Sequence, residues 1–275
     1  MYPKVEHNYQ VLVAGIKRFF GDAGKTSAVL GLSGGIDSAV VLCLVADALG
    51  KEHVHGLMMP SPFSTVHSLT DAIKLAEQAD ISYHVIPIDS IYSRFLKELA
   101  PVFEHSQPDT CEENIQARIR ACLLMAYANK KDCLLLNTTN KSELAMGYGT
   151  LYGDLAGALM VLADVYKTEV YELATFLNSE KNRIPLSITT KEPSAELRAN
   201  QKDSDSLPPY PVLDPLLHAL IEEGQSPDAL IAKGEPKEIV EQAVQAMRHS
   251  AFKRLQLPPL LKVSQHPLLS KDKWR

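Results

Sequence analysis

Ser27-Ala-Val-Leu-Gly-Leu-Ser-Gly-Gly-Ile-Asp-Ser38 decides the fold, because the residues on each side of its glycines dictate its shape. Ser27 to Leu32 is a short apolar run suited to a buried parallel strand, and Ala39 to Leu49 is an apolar run of helix formers closed by Gly50 as a C-cap. A glycine-rich turn between strand and helix lines up backbone N–H groups at a helix N-terminus, where the macrodipole also favours negative charge. Gly31 to Ser38 therefore reads as an anion site, and phosphate is the obvious anion.

The side chains of this loop separate it from other phosphate loops. Kinase-type and GTPase-type loops need G-x-x-x-x-G-K-[ST], with a lysine for the terminal phosphates. Here Ile36-Asp37-Ser38 opens the helix without a lysine. Two hydroxyls, Ser33 and Ser38, can donate to phosphate oxygens, while the Asp37 carboxylate would repel polyphosphate unless a cation lay between them, which implies Mg²⁺. The plain alternative, a strand-to-helix turn capped by Ser or Asp, explains a G-G pair but not the complete string.

Bulk composition sets the limits. The chain has 275 residues, 45% hydrophobic and 22% charged, with a net charge of −5, which suits one large globular domain and argues against a general nucleic-acid binder. No charged-then-apolar leader appears, and no run approaches the ~18 apolar residues of a membrane span, so a cytoplasmic protein without membrane contact is expected. Four cysteines, Cys43, Cys111, Cys122 and Cys133, are widely spaced. Cys43 and Cys122 fall in apolar helical patterns, and all four read as reduced core residues without a C-x-x-C zinc pair. His53 and His55 alternate along an expected strand, better read as a strand face than as metal ligands.

Strand and helix patterns then alternate as in a doubly wound α/β fold. After an amphipathic helix at Val5 to Phe20, His53 to Met59 reads as a strand, Ser68 to Ala79 as a helix, Tyr83 to Ile88 as a strand and Ile91 to Leu99 as a helix. Asn114 to Asn129 is a longer helix, Cys133 to Asn137 another buried strand, and Leu213 to Arg254 is helical. No repeat or long linker divides the chain. Pro60 to His67 and Thr189 to Pro211 lack apolar periodicity and read as mobile lids. Because loops at the carboxyl edge of such a sheet share one crevice, Asn137-Thr-Thr-Asn-Lys-Ser-Glu143 should meet Gly31 to Ser38, bringing Thr138 to the nucleotide and Glu143 to the metal of Asp37.

Ser33-Gly-Gly-Ile-Asp-Ser38 resembles the S-G-G-x-D-S motif of the ATP pyrophosphatases, which cleave ATP to AMP and pyrophosphate. N-T-T-N-K-S-E, Y-G-D, D-V-Y-K-T, K-E-P-S-A-E-L, D-S-L-P-P-Y and F-K-R follow in the order seen in NAD synthetases, and the resemblance covers nearly the whole chain. It implies a five-stranded, mostly parallel, doubly wound sheet flanked by helices, like that of the adenine nucleotide alpha hydrolases, with further helices at the C-terminus. It implies ATP-dependent amidation of deamido-NAD by ammonia to NAD through an adenylate, with Mg²⁺ as cofactor and ATP as co-substrate. A homodimer is implied as well. The length suggests the synthetase module alone, fed by free ammonia or by a separate glutaminase, although D-S-L-P-P-Y resembles the glutamine-dependent branch.

By this resemblance Asp37 and Glu143 hold Mg²⁺, and Gly31, Leu32, Ser33, Gly34, Gly35, Ile36, Asp37 and Ser38 cradle phosphate, while Thr138, Lys167 and Ser194 contact ATP. Asn114 and Arg118, four apart on one helix face, match contacts near the nicotinate end. Tyr148 is placed to stack on the pyridine ring, and Phe252 and Lys253 to cap the substrate in a dimer. Asp154 is the candidate to position or deprotonate ammonium, and Lys167 is the second catalytic candidate. The chain departs from the family where many members read F-T-K-Y-G-D-G-G-A-D. Gly149 to Ala158 has Leu151 for a substrate-contacting lysine and Ala158 for an aspartate. Two other readings compete: a related ligase that amidates or thiolates another nucleotide or tRNA, and a non-catalytic ATP sensor.

Overall fold

The computed structural model describes residues 3–104, 106–179 and 181–268. Five parallel strands, β1 (Ala28–Gly31), β2 (Val54–Met58), β3 (Ser82–Val85), β4 (Leu134–Asn137) and β5 (Leu159–Met160), form one sheet in the order β3-β2-β1-β4-β5. From β1 the chain winds outward to β2, whereas from β4 it winds the other way to β5. The carboxyl ends of β1 and β4 therefore flank the switch point, where the loops diverge and leave a crevice.

Burial on both faces explains the unbroken apolar runs of the strands. Ala28 and Leu30 of β1 point into a cluster with α1 (Pro3–Ala23), α2 (Ile36–Leu49) and α7 (Lys167–Asn178), while Val29 points into a second cluster with α4 (Asp89–Leu99) and α5 (Thr110–Lys131). The α2 helix is buried from Ala39 through Val45 without a break, as its composition requires. A third cluster joins α6 (Lys141–Met146) to α9 (Tyr210–Ile221), α10 (Pro227–Ala232) and α11 (Lys237–His249). The remaining helices are α3 (Val66–Gln78), α8 (Leu186–Thr190) and α12 (Ala251–Arg254). None of the helices among the described residues is long and apolar enough to cross a membrane.

Most expected elements occur where the patterns place them, with specific corrections. Helix α5 begins at Thr110, earlier than Asn114, because Asp109 and Glu112 form a capping box ahead of the apolar periodicity. Cys43 and Cys133 are buried, but Cys111 and Cys122 are exposed on α5, which turns Ile115, Ile119 and Ala128 inward instead. His53 closes a 3₁₀ turn, and only His55 lies on β2, where its Nδ1 is 2.6 Å from Ser82 Oγ and its ring packs 5.7 Å from Tyr127. No group of three or more His, Cys, Asp or Glu able to hold a metal occurs among the described residues.

The sheet is closed at its β5 edge by the C-terminal segment. Met160 N donates to Pro259 O at 2.8 Å, and Leu261 N donates back to Met160 O at 3.2 Å. Just beyond, the fully buried Lys141 ammonium donates to Asp164 at 2.7 Å, to Glu222, to Ser264 Oγ at 3.1 Å and to His266 O at 3.2 Å. Asp164 also accepts from Val263 N and Ser264 N, so this charge cluster holds residues 263–266 against α6 and α9. Replacing Lys141 by Met leaves two carboxylates buried without their cation. The expected loss is about 3–5 kcal/mol of unfolding free energy, read as a lower urea midpoint with an unchanged slope.

Candidate active site

Helix α2 starts at the end of β1 with Gly35 as N-cap and no side chain bonded to its first turn, which leaves the N–H groups there facing the crevice. Ser33 Oγ instead accepts from Gly35 N at 3.1 Å, and Ser38 Oγ donates to Gly35 O at 3.0 Å. The two hydroxyls thus shape the turn and stand 3.3 Å apart at its mouth. Gly34 has φ +78°, and a Cβ there would strike the carbonyl oxygen of Ser68 at the start of α3. Only glycine combines that backbone with that approach.

From β4 the chain enters α6 through Asn140, whose Oδ1 accepts from Glu143 N at 3.0 Å while Glu143 Oε2 accepts from Asn140 N at 3.2 Å. This capping box fixes the Glu143 carboxylate, and Asn140 Nδ2 reaches across to Asp37 Oδ1 at 3.0 Å. Lys167, the first residue of α7, bonds Asp37 and lies 3.7 Å from Glu143. Burial raises the Glu143 pKa, and the neighbouring Asp37 raises it further. Burial opposes the charge on Lys167, but Asp37 and Glu143 outweigh it and raise its pKa. The site therefore holds two carboxylates against one cation in a desolvated place. That donor set suits a divalent cation whose remaining positions are filled by water and phosphate oxygens, as Mg²⁺ prefers.

These groups line a cavity of ≈ 480 Å³. Gly31, Leu32, Ser33, Gly35, Ile36, Asp37 and Ser38 line it, whereas Gly34 packs away against Ser68. Thr138, Glu143, Lys167 and Ser194 line the same space, as do Asn114, Tyr148, Asp154 and Lys253. Asp154 is held by Thr150 N, which donates to its Oδ1 at 2.7 Å, and burial raises its pKa against that bond. Lys253 Nζ donates to Gly147 O at 2.8 Å and Gly149 O at 2.6 Å, and burial lowers its pKa. Lys253 therefore approaches this cavity from its own chain.

Two expected site residues stand apart from the cavity wall. Arg118 is exposed and donates through Nε to Leu151 O at 3.2 Å, and Phe252 is 54% exposed. At 100° per residue Arg118 lies about 140° around α5 from Glu113, whereas Arg120 returns to within about 20° of it. Arg120 accordingly lines the cavity with Glu113 and Asn114. The side chains of Leu151 and Ala158 also lie off the wall: Leu151 packs on the α9–α11 cluster, and Ala158 N donates to Leu135 O at 2.7 Å beside β4.

Sequence reading missed Arg120, Asn140, Lys191, Glu196 and Asp203. Asp203 accepts from Tyr210 OH at 2.9 Å and Tyr148 OH at 3.3 Å, and burial raises its pKa. Glu196 accepts from Thr65 N and Oγ1, both at 3.1 Å, from Ser68 Oγ at 2.5 Å and from Lys191 at 2.8 Å. It thereby joins the two segments expected as lids. Lys191, Glu196 and Asp203 were marked only by their place in a segment read as a lid, Asn140 by its place in the polar N-T-T-N-K-S-E stretch, and Arg120 by lying two residues after Arg118 on the same helix.

The family model for NAD synthase matches residues 8–258. The glutamine-dependent NAD(+) synthetase of Synechocystis sp. is 49% identical over 259 residues, which are 94% of this chain and 46% of that protein. The chain spans about half the length of the curated relatives it matches. Among solved structures, the NH3-dependent NAD synthetase of Campylobacter jejuni aligns with a TM-score of 0.71 at 33% identity, covering 90% of this chain and 95% of that one. The NMN synthetase of Francisella tularensis aligns with a TM-score of 0.78 at 29% identity, covering 91% and 95%. The family match runs from α1 through every element that lines the cavity, and the chain belongs to the NAD synthase family.

Proposed function

We propose that this chain catalyses the ATP-dependent amidation of deamido-NAD with ammonia, giving NAD, AMP and pyrophosphate through an adenylated carboxylate. The observation that supports it most directly is the meeting of Asp37, Glu143 and Lys167 at the open N-terminus of α2, with Asp154 and Tyr148 lining the same cavity. A nucleotide sensor has little need of a desolvated carboxylate pair beside its phosphates. Asp37 and Glu143 would hold Mg²⁺, which when bound neutralises the phosphates and the departing pyrophosphate.

The chain's own groups do the rest. The α2 N-terminus and the Ser33 and Ser38 hydroxyls bind phosphate oxygens, and Lys167 supplies a fixed positive charge beside them. Thr138 and Ser194, which line the same cavity, contact the nucleotide. Asn114 and Tyr148 receive the nicotinate end, with Arg118 outside the cavity and available to a substrate that extends beyond it. Once the carboxylate oxygen has attacked the α-phosphorus and pyrophosphate has left with the electron pair of the broken P–O bond, ammonia attacks the acyl carbon and AMP departs. Asp154 takes the proton that the nitrogen releases. Its burial makes it a stronger base than an exposed aspartate. The lid segments 60–67 and 189–211, joined through Glu196, exclude water from the adenylate. Tyr152, Phe252 and Leu255, at 67%, 54% and 52% exposure, supply an apolar patch for a homodimer.

The substrate test is direct. AMP and pyrophosphate should appear only when deamido-NAD and ammonium are both supplied, and not when glutamine alone replaces ammonium. The structural likeness to an NMN synthetase makes nicotinate mononucleotide the necessary second acceptor in the same assay, and preference for it would reassign the substrate. Asp154→Asn should lower kcat with saturating ammonium about a hundredfold or more, the usual range for losing a general base. Unchanged turnover would remove Asp154 from the chemistry. Gly34→Ala faces ~1–2 kcal/mol of left-handed backbone strain in addition to the Ser68 collision, so ATP affinity by calorimetry should fall about tenfold or more.

A further inference from the structure

The cations that line the cavity differ in how they are neutralised. Lys167 is paired with Asp37 and Glu143, Lys191 with Glu196, and Lys253 donates to two carbonyls. Arg120 has one bond, from Nε to Met59 O at 3.0 Å, and its two terminal nitrogens have no partner among the described residues. The anions it feels, Asp154 and Glu196, form no ion pair with it, and burial lowers its pKa to about 10. Arg120 is half-buried and lines the cavity, so its terminal nitrogens are open to an anionic ligand that supplies the missing partner.

The surroundings identify the anion. Met59 and Leu124 converge on Gly31, where a Cβ would sit 3.7 Å and 3.6 Å from their side chains, and Leu57 and Ala121 extend the same apolar wall. This slot suits a flat purine, while terminal phosphates belong at the α2 N-terminus. Through its bond to Met59, Arg120 stands at the rim of the slot, with Asp154 as the anion it feels most strongly. A purine seated in the slot would bring the phosphoryl group nearest its ribose toward Arg120 on the way to the α2 N-terminus.

We infer that Arg120 binds the α-phosphoryl group of the nucleotide and neutralises it while the acceptor carboxylate attacks. The second half of this statement rests on the amidation reading, and the phosphate contact does not. In the step, the acceptor oxygen forms a bond to the α-phosphorus as the bond to the bridging oxygen breaks, and pyrophosphate keeps the electron pair. Two guanidinium N–H groups on the equatorial oxygens offset the charge that would repel the incoming carboxylate.

The test compares AMP with adenosine by calorimetry on the wild-type chain, Arg120→Leu and Arg120→Lys. The wild type should prefer AMP. Arg120→Leu should weaken AMP about tenfold to a hundredfold, as for a hydrogen bond to a charged group, and leave adenosine within about twofold. Arg120→Lys should restore part of the preference, which separates a charge contact from a packing role. No AMP preference in the wild type, or the same preference in Arg120→Leu, overturns the assignment. So does an equal loss of AMP and adenosine. If Arg120→Leu instead erased discrimination between deamido-NAD and NAD while AMP binding stood, the guanidinium would belong to the nicotinate carboxylate and the inference would fall. These readouts need no turnover, so a wild type that retains the Arg120-dependent AMP preference but makes no NAD would refute the proposed function alone.

Discussion

The Lys167 ammonium is the interaction on which the site depends, because among the described residues it is the cation shared by the loop after β1 and the helix after β4. Without it Asp37 and Glu143 would face each other in a desolvated crevice, and their repulsion would push the two carboxyl edges apart. Its place is set by other elements rather than by its own helix. Lys167 N donates to Ser142 Oγ at 2.9 Å, and Thr168 N donates to Asp214 Oδ2 at 2.8 Å. The first turn of α7 is thus capped by a hydroxyl from α6 and a carboxylate from α9, which bond each other at 2.6 Å. A carboxylate at that N-terminus also meets the favourable end of the helix dipole.

Four consecutive residues therefore do four different jobs. Asn140 caps α6 and holds Asp37, Lys141 holds the C-terminal segment, Ser142 caps α7, and Glu143 presents its carboxylate to the cavity. Lys141 and Ser142 are fully buried although their residue types suggest a solvated loop. A sequence motif dense in polar residues is thus only partly a list of ligand contacts. Half of this one is structural, and it makes the geometry of Asp37, Glu143 and Lys167 depend on α9 and on residues 263–266.

Legibility in the sequence divides along physical lines. The strands before the glycine loop and before Asn137 were readable because both faces are buried, so their apolar runs are continuous. Helix α2 was readable for the same reason. Two-residue β5 was not, since its place at the sheet edge is supplied by pairing with Asn137 and by the tail at Pro259 rather than by its own pattern. On α5 the apolar pattern around Cys122 suggested burial, yet it is exposed, and the inward face is set by Ile115 and Ile119. A phase error of the same kind separates Arg118 from Arg120, which lie two residues and about 200° apart on the helix. Helix periodicity resolves faces to about 100°, so it can place two arginines on a helix without telling which one enters a cavity.

Segments 60–67 and 189–211 connect to the glycine turn after β1 through backbone as well as charge. Gly34 packs against the Ser68 carbonyl, Ser68 Oγ donates to Glu196, and Glu196 holds Thr65 at the N-cap of α3. Glu196 sits at φ +50°, a conformation that a side chain normally avoids and that is sustained here by its four bonds. Burial opposes its ionisation, but the bonds from Lys191, Ser68 and Thr65 prevail and hold its carboxyl below the usual range. Lys191 also lines the cavity, so any polyphosphate that enters competes with Glu196 for the same ammonium. Drawing Lys191 away would take one of the bonds that sustain the strained backbone. One ion pair thus stands between the cavity and the 189–211 segment, and a single residue, Ser68, connects that pair to Gly34.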